Sequence, residues 1–123
     1  MPFKRFDVPR RTLAQPAVTI VKGSGKMWLN SPATKYFGKF RRVAFFWDQE
    51  RRTIGLRPTN AVAGTAVLSR RRKGGGASIS AKTFLSHYGL FPWEKRVIEI
   101  AWNEKEKLLE LDLEKKPLWA SPD

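Results

Sequence analysis

Apolar and polar residues alternate through most of this chain, the period of a strand with one buried face. Val43, Phe45 and Trp47 share a face, with Ile54 and Leu56 on the run that follows; Ile98, Ile100 and Trp102 answer Leu109, Leu111 and Leu113. The polar stretches Asp48-Gln49-Glu50-Arg51-Arg52 and Asn103-Glu104-Lys105-Glu106-Lys107 between them read as the turns of two hairpins. The other face of the first run is Arg42, Ala44 and Phe46, which leaves Phe46 exposed or covered by a protein interface. Two earlier β-rich runs, Ala17 to Val21 and Thr65 to Ser69, each lead into Gly and basic residues that suit a hairpin loop. A short strand and a helix of about two turns follow each. Asn30 or Ser31 caps the first helix with Pro32 in its first turn, Ser80 caps the second, and Gly38 and Gly89 stop them in a left-handed conformation.

This parse reveals an internal repeat. Met27 to Gly38 lies over Ser78 to Gly89 without a gap, and Arg41 to Pro58 lies over Arg96 to Leu113; the second copy carries a four-residue insertion around Phe91-Pro92-Trp93-Glu94. Each copy reads strand, strand, short helix, strand, strand. A unit of this length with one thin apolar face cannot stand alone, whereas two copies can close a shared core. The expected fold is mainly β with two short helices, a pseudo-twofold duplicated ββαββ barrel in one chain. Residues 1–16 form a basic N-terminal arm, 17–58 the first repeat, 59–64 a linker, 65–113 the second repeat and 114–123 a C-terminal tail. Trp47 and Trp102 occupy equivalent inward positions, and Trp28 aligns with Ile79, so all three are expected in the core. Trp93 and Trp119 are expected to pack on the barrel or on a neighbouring subunit, which makes them, with Phe46, the candidate protein interface.

Charge turns this fold reading into a functional one. The 123 residues carry 24 Lys and Arg against 11 Asp and Glu, a net +13. Residues 1–76 hold 17 basic and three acidic side chains, while residues 77–123 hold seven and eight. Such asymmetry favours a polyanionic partner met by one side of the molecule. With no Cys, disulfides, thiolate nucleophiles and Cys-ligated zinc are excluded, and His87 alone offers no histidine metal site or dyad. The carboxylate pairs Asp48 with Glu50 and Glu104 with Glu106 lie in turns, where they are ordinarily solvated. No catalytic residue, metal, cofactor or small-molecule substrate is expected. The longest apolar run, Val43 to Trp47, is far short of the ~20 residues of a membrane helix, and the start of the chain lacks a signal-peptide pattern, so no membrane and a cytoplasmic location are expected.

Three basic groups are candidates for phosphate contact. The loop Arg70-Arg71-Arg72-Lys73-Gly74-Gly75-Gly76 places four cations beside glycines that let a backbone approach, and Lys22 and Lys26 flank the corresponding loop of the first copy. Lys39, Arg41, Arg42, Arg51, Arg52 and Arg57 come from the helix end and hairpin of the first copy. Arg42, Arg51 and Arg57 become Val97, Glu106 and Asp112 in the second, so the fold does not demand their charge. The arm interleaves Lys4, Arg5, Arg10 and Arg11 with Phe3 and Phe6, a pattern that suits a groove, stacking on bases or docking on a protein.

The stretches VTIVKGSGKMWLNSPATKYFG and VAFFWDQERRTIGLRP, with the second copy ending in VIEIAWNEKEKLLELDL, resemble the swapped-hairpin barrels of AbrB/SpoVT-type regulators; the single-chain duplication looks like the MraZ form of that fold. The resemblance covers roughly Ala17 to Leu113. It implies DNA binding by basic residues around one face of the barrel, in a dimeric or higher assembly. The expectation is a non-enzymatic nucleic-acid-binding protein that grips double-stranded DNA rather than RNA through phosphates, as a transcriptional regulator would. The alternative is a structural or assembly subunit of a larger nucleoprotein or virion complex.

Overall fold

The computed structural model describes residues 15–71, 75–90 and 96–114, together with the backbone of residues 119–120. It is mainly β with two short helices. In chain order the elements are β1 (Ala17–Ile20), β2 (Lys26–Leu29), α1 (Ser31–Lys35), β3 (Arg42–Asp48), β4 (Thr53–Thr59), β5 (Ala66–Val67), β6 (Ser69–Arg70), β7 (Ala77–Ser80), α2 (Lys82–His87), β8 (Arg96–Asn103), β9 (Leu108–Asp112) and β10 (Trp119–Ala120). Nine strands form one antiparallel path, β5-β3-β4-β9-β8-β1-β2-β7-β6, and β10 pairs with β8 off that path. The ends of the path meet at a single residue. Leu68 separates β5 from β6 and donates its N–H to the Arg41 carbonyl at 2.8 Å, so the run expected as one strand from Thr65 to Ser69 bends to pair first with β3 and then with β7. The result is a nearly closed barrel.

The core is the inward half of each alternating pattern. Val43, Ile54, Leu56, Leu109 and Leu111 are fully buried, with Ile98 and Ile100 nearly so. Ile54 and Leu56 pair with Leu111 and Leu109 across β4 and β9. Both hairpin turns close alike: Asp48 Oδ1 accepts from Arg51 N at 3.2 Å, and Asn103 Oδ1 accepts from Glu106 N at 3.0 Å. Arg52 and Lys107, at φ 47° and 56°, complete the two reversals.

Three expectations need correction. Trp28 is not core: β2 buries Met27 and Leu29, and Trp28 points the other way, only partly buried. The β2–β7 register sets Met27 opposite Ile79 and Trp28 opposite Ser78, so the gapless superposition of residues 27–38 on 78–89 is one residue out of phase with burial. A one-residue shift in a strand exchanges its faces. Trp47 and Trp102 do face inward but are only partly buried, because each indole N–H reaches out to the turn that follows. Trp47 Nε1 donates to Gln49 Oε1 at 2.8 Å and Trp102 Nε1 to Glu104 Oε2 at 2.6 Å. Ser80 does not cap α2; the cap residue is Ala81, with no side-chain hydrogen bond.

The cap of α1 is of another kind. Asn30 Oδ1 accepts from Ala33 N and from Ala17 N, both at 3.0 Å, while Asn30 Nδ2 donates to the Gln15 carbonyl at 3.0 Å. One side chain thus satisfies a helix start and ties it to β1. Asn30→Ala is expected to cost about 1–2 kcal/mol, and Ser80→Ala less than about 0.5 kcal/mol. Urea midpoints of the two variants check this; equal shifts would remove the distinction between the caps. Gly38 and Gly89, at φ 50° and 68°, end the helical segments as expected.

Candidate functional site

Charge is segregated on the barrel. The sequence holds no Asp or Glu from residue 15 to 47 or from 53 to 90, a span that includes β1, β2, β5, β6, β7 and both helices. Among the described residues every carboxylate belongs to the β3–β4 turn region, to β8 and β9 with their turn, or to Glu114 just beyond. The β8–β9 turn also holds its charge firmly: hydrogen bonds from Lys107 and Trp102 keep the Glu104 carboxyl below the usual carboxylate range.

This geography divides the candidate cations. Those on the β3–β4 hairpin meet the acids of the β8–β9 hairpin and of Glu114 beyond it. Arg51 Nη2 lies 2.9 Å from Glu110 Oε2, and Arg52 Nε lies 3.1 Å from Glu114 Oε1. Arg57 donates from Nε and Nη2 to the Glu106 carbonyl at 3.2 and 3.0 Å, with its guanidinium 4.5 Å from the Phe46 ring centroid. Arg51 and Glu110 also line a shallow outer cavity with Phe46, Gly55 and Leu108. Arg57 Nη2 also lies 3.7 Å from Glu106 Oε2, so these arginines face carboxylates of the β8–β9 hairpin and the residues after it. Phe46 is 40% exposed, as its outward position requires.

Two further arginines are tied to backbone. Arg42 donates from Nε to Thr65 Oγ1 at 2.6 Å and from Nη2 to the Thr65 carbonyl at 2.9 Å. Arg70 Nη2 donates to the carbonyls of Gly38 and Phe40 at 2.6 and 2.9 Å, which pins the end of α1 to β6. Arg41 and Lys39 are exposed beside that end, and Lys22 is exposed in the β1–β2 loop.

Lys26 and Arg71 come together on one ring. Lys26 Nζ lies 5.2 Å from the Trp28 ring centroid and the Arg71 guanidinium carbon 4.8 Å from it, on the acid-free side of the barrel. Trp28 is the participant that superposing the copies concealed. The signal was in the local pattern, since Lys26-Met27-Trp28-Leu29 alternates and only Met27 and Leu29 can face in together. Arg72, Lys73, Lys4, Arg5, Arg10, Arg11 and Trp93 lie outside the described residues, as does the side chain of Trp119, whose backbone adds to β8 in β10.

Aromatic rings fasten α1 to the β8–β9 hairpin and α2 to the β3–β4 hairpin. Tyr36 of the α1 end stacks on Trp102 at 5.0 Å, and Phe84 of α2 stacks on Phe45 at 4.9 Å. Among the described residues no group of three acidic, His or Cys side chains is placed to hold a metal ion, and no helix is long and apolar enough to cross a membrane. Comparisons with protein-family models, curated proteins and solved structures find no match to the chain.

Proposed function

We propose that this protein binds nucleic acid through phosphate contacts on the acid-free half of its barrel, as a non-enzymatic DNA-binding protein. The observation that carries this reading is the segregation of charge among the described residues: their carboxylates gather around β8, β9 and the β3–β4 turn, and β1, β2, β6 and β7 carry cations and no acid. A surface that served solubility only would have no need to separate the signs. Lys22, Lys26, Lys39, Arg41 and Arg71 supply charge on that side, and Arg72 and Lys73 adjoin it in sequence. A duplicated, AbrB-like origin belongs to the same reading. It draws support from the pairings, since β2 pairs with β7, β4 with β9, and the central strand of each copy with the opening strand of the other.

The test is fluorescence anisotropy of labelled duplex DNA, single-stranded DNA and RNA at several salt concentrations. If six to ten phosphates are neutralised, affinity falls roughly 10³- to 10⁵-fold between 50 and 200 mM salt. Absence of binding at 50 mM salt to all three polymers overturns the proposal and transfers the charge to an acidic protein partner or an assembly.

A further inference from the structure

Across β6, β7, β2 and β1 the register sets Ser69, Ser78, Trp28 and Thr19 side by side, so one indole stands in a row of small hydroxyl side chains. Lys26 shares the Trp28 face of β2 two residues away, and Arg71 reaches the same ring from the end of β6. The fold itself gains little from this arrangement, because an exposed cation over a ring contributes weakly and a smaller β-former would fit the outer face of β2 as well. What it provides is a partly exposed indole among small neighbours, with Lys26 Nζ and the Arg71 guanidinium over its ring.

We infer that Trp28 is a stacking platform for an unpaired base, so that the face takes single-stranded nucleic acid, with Lys26 and Arg71 holding the flanking phosphates. This rests on the phosphate-binding reading above. In a duplex the base faces are already stacked on one another and cannot reach an indole fixed on a strand. Neither helix assists with a duplex, since α1 and α2 have five and six residues, too few to fill a major groove as a recognition helix does. On a single strand the two cations exchange the ring for phosphates, and a base takes the ring face they leave. Stacking of this kind tolerates any base, so affinity without strong sequence preference follows.

The experiment compares a labelled 20-nucleotide oligothymidine, an abasic oligomer of the same length and charge, and a 20-base-pair duplex, against the full chain at 100 mM salt. Wild-type protein is expected to bind oligothymidine at least tenfold more tightly than the abasic oligomer. Trp28→Leu should lose about 5- to 100-fold for oligothymidine and under twofold for the duplex, with an unchanged salt slope; Trp28→Phe, which keeps a ring, should recover most of the loss. Equal binding of oligothymidine and abasic oligomer by the wild type overturns the inference, and that comparison needs no variant to fold. A duplex bound more tightly than either, with Trp28→Leu unaffected, overturns it too and leaves the phosphate reading standing. No binding of any polymer overturns both.

Discussion

Replacing Phe37 by Ala is expected to cost about 3–5 kcal/mol and to lower the thermal midpoint by roughly 10–20 °C. Phe37 has 0% exposure and is among the largest fully buried side chains of the core. Its ring belongs to the core, and its backbone is held in the turn that follows α1, where Phe37 N donates to the Thr34 carbonyl at 3.0 Å and Phe40 N to the Phe37 carbonyl at 2.8 Å. Hydrogen bonds on both sides hold the backbone, so the turn cannot collapse into the vacated volume, which places the cost at the upper end for a cavity of this kind. Tyr88, its counterpart when the copies are superposed, is 46% exposed and rests on Phe84 and Trp47 at 5.3 and 6.0 Å. Tyr88→Ala should cost only about 1 kcal/mol. Differential scanning calorimetry of the two variants decides the matter; equal losses would mean that Tyr88 contributes to the core as Phe37 does.

That inequality marks where the sequence was readable. The two long hairpins follow from local information: a period-two pattern fixes the inward residues, and Asp48 and Asn103 each close their turn by accepting a backbone N–H. Three of the aligned pairs, Val43 and Ile98, Ile54 and Leu109, and Leu56 and Leu111, are all in the core. In the β2–α1 and β7–α2 segments the superposition aligns the helix-stopping glycines but sets the preceding strands one residue out of phase. Leu85 fills the core where α1 offers the smaller Ala33, and Tyr88 stays outside. Matching glycines constrain backbone conformation at a point; they do not constrain which face of a strand is buried.

Long-range pairing was legible to a lesser degree still. Nothing local to the Arg51-Arg52 turn reveals that β4 lies beside β9, and only that neighbour brings Glu110 and Glu114 to these guanidiniums. The bend at Leu68 and the return of residues 119–120 to β8 are likewise set by edges that no short window contains. Read without partners, Arg51, Arg52 and Arg57 looked like a basic face; with partners they join the two halves of the barrel.

From this division follows the expected contrast between two triple variants. Changing Arg71, Arg72 and Lys73 to Ala should reduce the magnitude of the log–log salt slope by about 2.7 for duplex DNA and about 2.1 for a single strand, and weaken duplex binding a few hundredfold at 0.1 M salt. Arg71 lies on the side of the barrel where no described residue is a carboxylate, and Arg72 and Lys73 follow it in the sequence, so each phosphate contact is expected to release a counterion. Their removal should leave the thermal midpoint nearly unchanged, since Arg71 is exposed and its side-chain ring contact among the described residues is a cation over Trp28, which contributes weakly. Changing Arg51, Arg52 and Arg57 to Ala should do the reverse. Exposed ion pairs contribute about 0–1 kcal/mol each, and Arg57 adds its stacking on Phe46, so a stability loss of about 1–3 kcal/mol is expected with little change in salt slope. These guanidiniums already face Glu110, Glu114 and Glu106, and a phosphate approaching them would meet those carboxylates first. Anisotropy titrations at four salt concentrations, run beside thermal melts, separate the outcomes. A slope that falls with the hairpin triple and not with the loop triple would move the binding face to the β3–β4 hairpin, and the segregation of charge would then be a device for joining the two halves of the barrel rather than for meeting a polyanion.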